Sequence, residues 1–184
     1  ALEPDLDGRF GEALYFADEG HVATPAALSF LLSAVRQAGA EIVFAQAWAP
    51  QDLPPGHLAI DCRGLAGRST VSGLRGVRGE RIVIASGEIQ LSRPVRLLHP
   101  RHPLYVVPWG EGRYMVGATV IESEDDGPIT LRSALELMGL AFALHPAFGE
   151  ALVIETGAGV RPAFADNVPR IVVPPGSNAR AGTI

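Results

Sequence analysis

The stretch LYVVPWGEGRYMVGATVIES, residues 104–123, decides the fold that the sequence predicts. Two alternating segments lie on either side of the turn GEG at residues 110–112, a pattern typical of an antiparallel hairpin. ERIVIAS at 80–86 and EIQLSRPVRLLH at 88–99 are further strand candidates, and turn residues separate them. The middle of the chain is therefore predicted to be an antiparallel sheet.

Helices and further strands flank this sheet. Thr24 and Pro25 begin a predicted helix as N-cap and first helical residue, and Gly39 ends it. A second predicted helix is capped by Thr130 and ends at the His-Pro pair that begins with His145. The remaining strand candidates are AEIVFAQAW, LAIDC, ALVIETGAG and RIVVPP, at residues 40–48, 58–62, 151–159 and 170–175.

The order of these elements predicts an α+β (mixed α/β) fold. Helix-and-strand segments alternate with antiparallel segments along the chain. This alternation favours a chain that passes between two domains more than once over two domains in series.

Composition excludes several classes of protein. Of the 184 residues, 47% are hydrophobic and 19% charged, which predicts a globular domain. No apolar run approaches the roughly 18 residues that cross a bilayer, so no membrane partner is predicted. The net charge of −5 and the scattered arginines argue against nucleic acid as a partner. A single cysteine and an N-terminus unlike a signal peptide predict a reducing, cytoplasmic location.

Motifs for protein-borne chemistry are missing from the sequence. It contains no G-x-G-x-x-G before a helix, no Walker loop, no G-x-S-x-G, and no cysteine or histidine pair at metal spacing. We therefore predict no metal site and no catalytic side chain, and we expect any chemistry to belong to a bound cofactor. The scattered histidines are interpreted as surface or structural residues. His102 is kept as a site candidate because it lies beside the strand that begins at Leu104.

Three stretches carry a resemblance to a known family. They are AIDCRGLAG at 59–67, PLYVVPWGEGRYMVGAT at 103–119 and GAGVRPAFADNVPRI at 157–171. Their order and spacing resemble the D-amino-acid-oxidase-like FAD enzymes, and within them most closely the glycine oxidases of thiamine biosynthesis. The resemblance spans nearly the whole chain. It implies an FAD-binding domain interleaved with a substrate domain built on an antiparallel sheet.

The resemblance assigns an order of segments to these two domains. Residues 1–20 and 76–155 are expected in the substrate domain, with 21–75 as partial FAD-binding, Rossmann-like elements and 156–184 as a truncated return to the FAD-binding domain. The glycine-rich turns with which such enzymes begin and end do not occur here. The chain is therefore expected to be an internal piece of a longer enzyme, and to lack FAD when isolated.

Arg161 is the main candidate for substrate binding. From the sequence alone it is either a solvated turn arginine or a fixed cation for an anion, and Pro162 stiffens the backbone beside it. The resemblance implies the second, because the arginine of G-x-R-P in that family holds the substrate carboxylate over the flavin. A planar guanidinium can grip a carboxylate through two parallel hydrogen bonds, which fixes orientation as well as distance.

Further site residues follow from the same resemblance. Tyr105 matches a tyrosine that assists at the carboxylate, although alternation alone would equally allow it to point into the core. Val120 resembles a residue that lines the substrate pocket, with a plain core valine as the alternative. Trp109 departs from the family pattern, which more often has an arginine there.

The stretch DCRGLAG implies a cofactor site. It resembles a turn that packs along FAD, so Cys62, Arg63, Gly64 and Leu65 are predicted to approach the cofactor, together with Gly159 of the last stretch. A buried cysteine before a tight turn is the alternative interpretation of Cys62.

The resulting hypothesis is an FAD-dependent amino-acid oxidase. It would convert glycine or a similar small amino acid to an imine and then an oxo acid, ammonia and hydrogen peroxide, with molecular oxygen as co-substrate. Association of two or more copies is also considered, since relatives associate and the chain would expose apolar surface. The competing hypothesis is a non-catalytic folded module without FAD.

Overall fold

A five-stranded antiparallel sheet forms the centre of the protein. The computed structural model describes residues 2–47, 52–99 and 103–173. The strands are β1 (Arg75–Ala85), β2 (Val95–Leu97), β3 (Leu104–Gly110), β4 (Arg113–Gly117) and β5 (Leu152–Ala163), in the sheet order β2-β3-β4-β1-β5. The predicted fold class is confirmed. No helix within the described ranges is long and apolar enough to cross a membrane.

The predicted hairpin is formed by β3 and β4. Val106 pairs with Val116 across it, and Gly110, Glu111 and Gly112 all have positive φ angles at the turn. Glycine tolerates such angles without steric cost, which explains GEG as the turn sequence. β1 then pairs with β4 on one side and with β5 on the other.

The strand predicted at 88–99 is shorter than expected. Only Val95–Leu97 pairs, as β2, with the outer side of β3. The reason lies in the N-terminal segment. Its carboxylates accept hydrogen bonds from backbone amides of the residues just before β2. Asp5 accepts from the Gln90 amide at 2.6 Å and Glu3 from the Ser92 amide at 3.0 Å. Those amides are therefore unavailable to a strand neighbour.

Both predicted helices are present, with one corrected cap. α2 (Leu131–Leu144) has Thr130 as its N-cap, whose hydroxyl accepts from the Ser133 amide, and it ends at His145 as predicted. α1 (Thr24–Gln37) begins one residue earlier than expected, with Ala23 at the cap and no side-chain cap hydrogen bond. The predicted Thr24 cap is wrong because Thr24 already belongs to the first turn, as does Pro25.

Three predicted strands are not formed in the described residues. Residues 40–47, 58–62 and 170–173 have no strand pairing, and residues 48, 174 and 175 lie outside the described ranges. β-branched content alone does not make a strand, because the backbone needs a neighbour with which to pair. Val43 and Ile60 accordingly stay exposed, at 52% and 79%. No residue of α1 is buried.

The core lies between the sheet and α2. Ile82 and Ile84 of β1 point toward this layer with Val106 of β3 and Val116 of β4, and α2 contributes Leu137 and Leu144. All six side chains are at most 3% exposed. Because side chains alternate along a strand, the odd-numbered residues of β1 lie on the opposite face.

A buried ion pair joins β1 to the segment that leads into α2. Arg78 donates from Nε and Nη2 to Oε1 of Glu80, at 2.9 and 2.6 Å, and also to the carbonyl of Pro128. The Thr130 amide donates to the same carboxylate at 3.1 Å. Burial alone would raise the pKa of Glu80, but hydrogen bonds from Ser133, Arg78 and the Thr130 amide hold it below its ordinary value.

We expect Glu80→Gln to lower the free energy of unfolding by about 3–5 kcal/mol, since it leaves the buried Arg78 guanidinium with only the exposed carboxylate of Asp125, 3.8 Å away, as counter-ion. Glu122→Gln is the control, because Glu122 pairs with Arg75 but is 70% exposed, and should cost about 1 kcal/mol or less. Urea denaturation of both variants measures the difference. An equal loss in the free energy of unfolding for both variants would contradict a structural role for the buried ion pair.

Candidate functional site

A row of four residues crosses the face of the sheet opposite to α2. Tyr105 of β3 pairs with Gly117 of β4, Gly117 pairs with Arg81 of β1, and Arg81 pairs with Gly157 of β5. Directly paired residues point to the same side of a sheet. Two large side chains thus alternate with two glycines along this row.

Tyr105 lies flat over the glycine beside it. A β-carbon added at Gly117 would lie 3.0 Å from both Cζ and Oη of Tyr105. Any other residue at position 117 would therefore push the phenol away from the sheet. The absence of a side chain at Gly117 leaves the space that the phenol of Tyr105 occupies.

Arg161 approaches the same face from β5. Its backbone pairs with Val77, and its side chain extends along the strand to lie over Gly79. A β-carbon added at Gly79 would stand 2.0 Å from Nη2 and 2.4 Å from Cζ of Arg161, which is far inside contact distance. Gly79 therefore provides the space in which the guanidinium rests.

A pocket of about 340 Å³ lies between these side chains. Gly79, Gly157 and Gly159 contribute backbone to its lining. The large side chains that line it are Arg81, Tyr105, Met115 and Arg161. The structure thus brings Tyr105 and Arg161 to one pocket, although they are 56 positions apart in sequence. A volume of this size is in the range of small-molecule sites.

The two pocket arginines differ in their partners. Arg81 Nη2 donates to Oε1 of Glu155 at 2.6 Å, and its Cζ lies 5.7 Å from the ring centre of Trp109. Arg161 has no ion pair or side-chain hydrogen bond with any residue in the described ranges. Its positive charge is therefore available to a ligand, and a carboxylate is the group that its planar fork fits best.

The turn proposed for the cofactor lies against Pro162, which pairs with Gly76 on the face of β1 opposite the pocket. Gly64 begins a short 3-10 helix, Gly64–Ser69, with a φ of +63°, and an added β-carbon there would lie 3.6 Å from Cγ of Pro162. The turn therefore contacts the residue that follows Arg161. Asp61 accepts from Nε and Nη2 of Arg63 and from its amide, which holds the Arg63 side chain against the turn.

Among the remaining candidates that the structure describes, Gly159 alone lines the pocket. Val120 does not line the pocket. Its side chain is 72% exposed, so the alternative interpretation as a core valine is wrong. Cys62 is exposed, which excludes the interpretation as a buried cysteine. His102 lies outside the described residues. Gly159 does line the pocket, and an added β-carbon there would meet nothing within 4 Å.

Sequence reasoning missed Arg81, Glu155 and the glycines beneath the large side chains. One sequence pattern could have indicated them. RGVRGERIV at 75–83 places glycines and arginines inside a strand, where an interior glycine often marks the close approach of another group. The partner of each glycine depends on strand order and register, which the sequence does not specify.

Comparison with known proteins establishes the family. Residues 1–180 match the DAO family, described as FAD dependent oxidoreductase. The chain therefore belongs to this family of FAD-dependent oxidoreductases, and the predicted resemblance is confirmed.

Two relatives show how much of such a protein the chain represents. It is 52% identical, over 171 residues, to a Rhizobium etli protein named as a thiamine biosynthesis oxidoreductase, ThiO. The match covers 93% of this chain and 52% of that protein, so the chain spans about half the length of the curated relative it matches. The crystal structure of glycine oxidase from Geobacillus kaustophilus is similar in fold, with a TM-score of 0.53 and 23% identity over 62% of this chain and 30% of that one.

We expect Gly79→Ala to weaken carboxylate binding about tenfold without unfolding the protein. The added methyl group displaces the end of the flexible Arg161 side chain, so one of its charge-assisted hydrogen bonds to the carboxylate is lost. The backbone hydrogen bonds between β1 and β5 persist. Titration with acetate, followed by NMR, measures the dissociation constant. Gly139→Ala on α2 is the control, since a β-carbon there meets nothing within 4 Å. Equal binding by both variants would show that Arg161 does not need the space at Gly79.

The Asp61 carboxyl should titrate well below the usual range. Its hydrogen bonds with the Arg63 side chain and amide lower its pKa from 3.8 to about 2. Since the folded pKa is depressed, the turn is stabilised above pH 3.8, and this stabilisation is lost as pH falls through about 2. NMR titration of the Asp61 carboxyl carbon measures the midpoint. Arg63→Gln should move the midpoint upward, and an unchanged midpoint would contradict the assignment.

Proposed function

We propose that the whole protein is an FAD-dependent oxidase of glycine or another small amino acid, and that this chain supplies its carboxylate-binding pocket. The observation that carries the proposal is the guanidinium of Arg161, which has no ion-pair partner among the described residues and lies in a pocket that Tyr105 shares. A cation and a phenol hydroxyl that line one pocket suit an acid that is small enough for about 340 Å³.

Arg161 would bind the substrate carboxylate and orient it. Its two terminal nitrogens can donate parallel hydrogen bonds to the two carboxylate oxygens, each worth about 1.5–3 kcal/mol. Tyr105 would donate a further hydrogen bond from its hydroxyl. With the carboxylate fixed by both groups, the α-carbon is held in one orientation, which is the main contribution that a protein without an acid-base pair can make.

The residues near the pocket are compatible with FAD. Cys62, Arg63, Gly64 and Leu65 belong to the turn that contacts Pro162, and open space lies over Gly159. These residues would hold part of the cofactor. When bound, FAD supplies two-electron oxidation of the amine to an imine, with molecular oxygen as the final acceptor and hydrogen peroxide as product. Hydrolysis of the imine gives the oxo acid and ammonia.

We do not expect the 184 residues alone to retain FAD. Dinucleotide-binding folds hold the pyrophosphate at a glycine-rich turn before a helix. Among the described residues, α1 begins with Thr24 and Pro25, and α2 follows Thr130, so neither has such a turn. A role in thiamine biosynthesis is part of the proposal because the Rhizobium etli relative is named for it.

The test is the kinetics of the whole protein with glycine. Arg161→Ala should raise KM at least tenfold, corresponding to about 1.4 kcal/mol or more, because the carboxylate loses its anchor. Arg161→Lys should recover only part of the loss, since an ammonium keeps the charge but not the planar fork. Hydrogen peroxide production gives the rates.

Arg132→Ala is the matched control, because Arg132 is exposed on α2 and lies outside the pocket. Its KM should equal that of the unchanged protein. Unchanged kinetics in Arg161→Ala would refute the anchoring role. A whole protein that carries FAD but oxidises no small amino acid would refute the substrate class.

A further inference from the structure

The charge balance of the pocket depends on a residue outside its lining. Three charged residues line the pocket: Glu80, Arg81 and Arg161. Glu80 contributes backbone here, because its carboxylate is fully buried on the opposite face with Arg78. Among the described residues, the lining of the pocket therefore presents two guanidinium groups and no carboxylate.

The carboxylate of Glu155 neutralises one of these two positive charges. It lies on β5 beside Val83 of β1, and its Oε1 accepts from Arg81 Nη2 at 2.6 Å. Arg81 is partly open to solvent, with 35% of its side chain exposed, so a ligand could otherwise reach it. Arg161 remains the guanidinium of the pocket without a carboxylate partner in the described part of the chain.

The second guanidinium is close enough to act on the same ligand. The Arg161 side chain lies over Gly79, and Arg81 is two positions further along β1 on the same face. Residues that are two positions apart in a strand have Cα atoms about 7 Å apart. A short dicarboxylate could therefore place one carboxylate on each arginine, if Arg81 were free.

We propose that Glu155 is a specificity-determining residue that restricts the pocket to acids with one carboxylate. As the counter-ion of Arg81, it leaves a single positive charge to be neutralised by the ligand. A second carboxylate on the ligand would have to displace Glu155 from Arg81 and would meet the negative charge of Glu155 beside it. This inference rests on the proposed function, since it assumes that Arg161 binds the first carboxylate.

The experiment compares two ligands that differ by one carboxylate. Dissociation constants of acetate and malonate are measured by calorimetry on the whole protein. In Glu155→Gln the affinity for malonate relative to acetate should rise about fivefold, in line with partly exposed ion pairs, while acetate binding changes less than about twofold. In Arg81→Gln/Glu155→Gln that gain should disappear, because no second guanidinium is left.

Glu111→Gln is the matched control. Glu111 pairs with Arg113 at 3.5 Å in the hairpin turn, so the substitution removes one acidic charge outside the pocket. This control substitution should leave the affinity for malonate relative to acetate unchanged. Glu155→Ala provides a second variant that also removes the counter-ion, and it should show the same gain.

Two kinds of failure can be told apart. If acetate binds and Arg161→Ala abolishes its binding, but neither Glu155 variant favours malonate, the role of Glu155 is refuted and the proposed function stands. If Glu111→Gln gives the same gain, the effect is one of net charge, and the inference is likewise refuted. If acetate binding does not depend on Arg161, the carboxylate pocket itself is refuted, and with it the role of Glu155.

Discussion

The site depends on the close approach of long side chains to backbone that carries no side chain. Arg161 occupies the space over Gly79, and Tyr105 occupies the space over Gly117. Both glycines lie inside strands, where glycine costs stability and is otherwise unfavourable. What they provide is the space that two polar groups occupy on one sheet face. Side chains that already lie in a pocket before a ligand arrives lose less conformational freedom on binding.

The two faces of β1 explain why this strand is so rich in charge. Its even-numbered face carries Arg78 and Glu80, whose buried ion pair fastens the segment before α2 to the sheet. Its odd-numbered face carries Gly79 and Arg81, which form the pocket. One strand thus joins the core to the site, and the alternation of a β-strand keeps the two networks apart.

The sequence predicted local features well and long-range pairing poorly. The hairpin and the Thr130 cap follow from turn chemistry and capping, both of which involve neighbouring residues. The strands expected at 40–48 and 58–62 are not formed in the described residues, because β-strand propensity does not supply a pairing partner. Arg81 and Glu155 were missed because their proximity arises from the register between β1 and β5, 74 positions apart.

The chain covers about half of the relative it matches, and the apolar side chains of α1 are exposed in the structure. The described lining of the pocket, in contrast, comes from β1, β3, β4, β5 and the segment after β4. A crystal structure of the whole protein with bound acetate tests the account most directly. We predict a carboxylate with both oxygens about 2.7–2.9 Å from Arg161 nitrogens and one near the Tyr105 hydroxyl. Acetate bound elsewhere, with Arg161 turned to solvent, would contradict it.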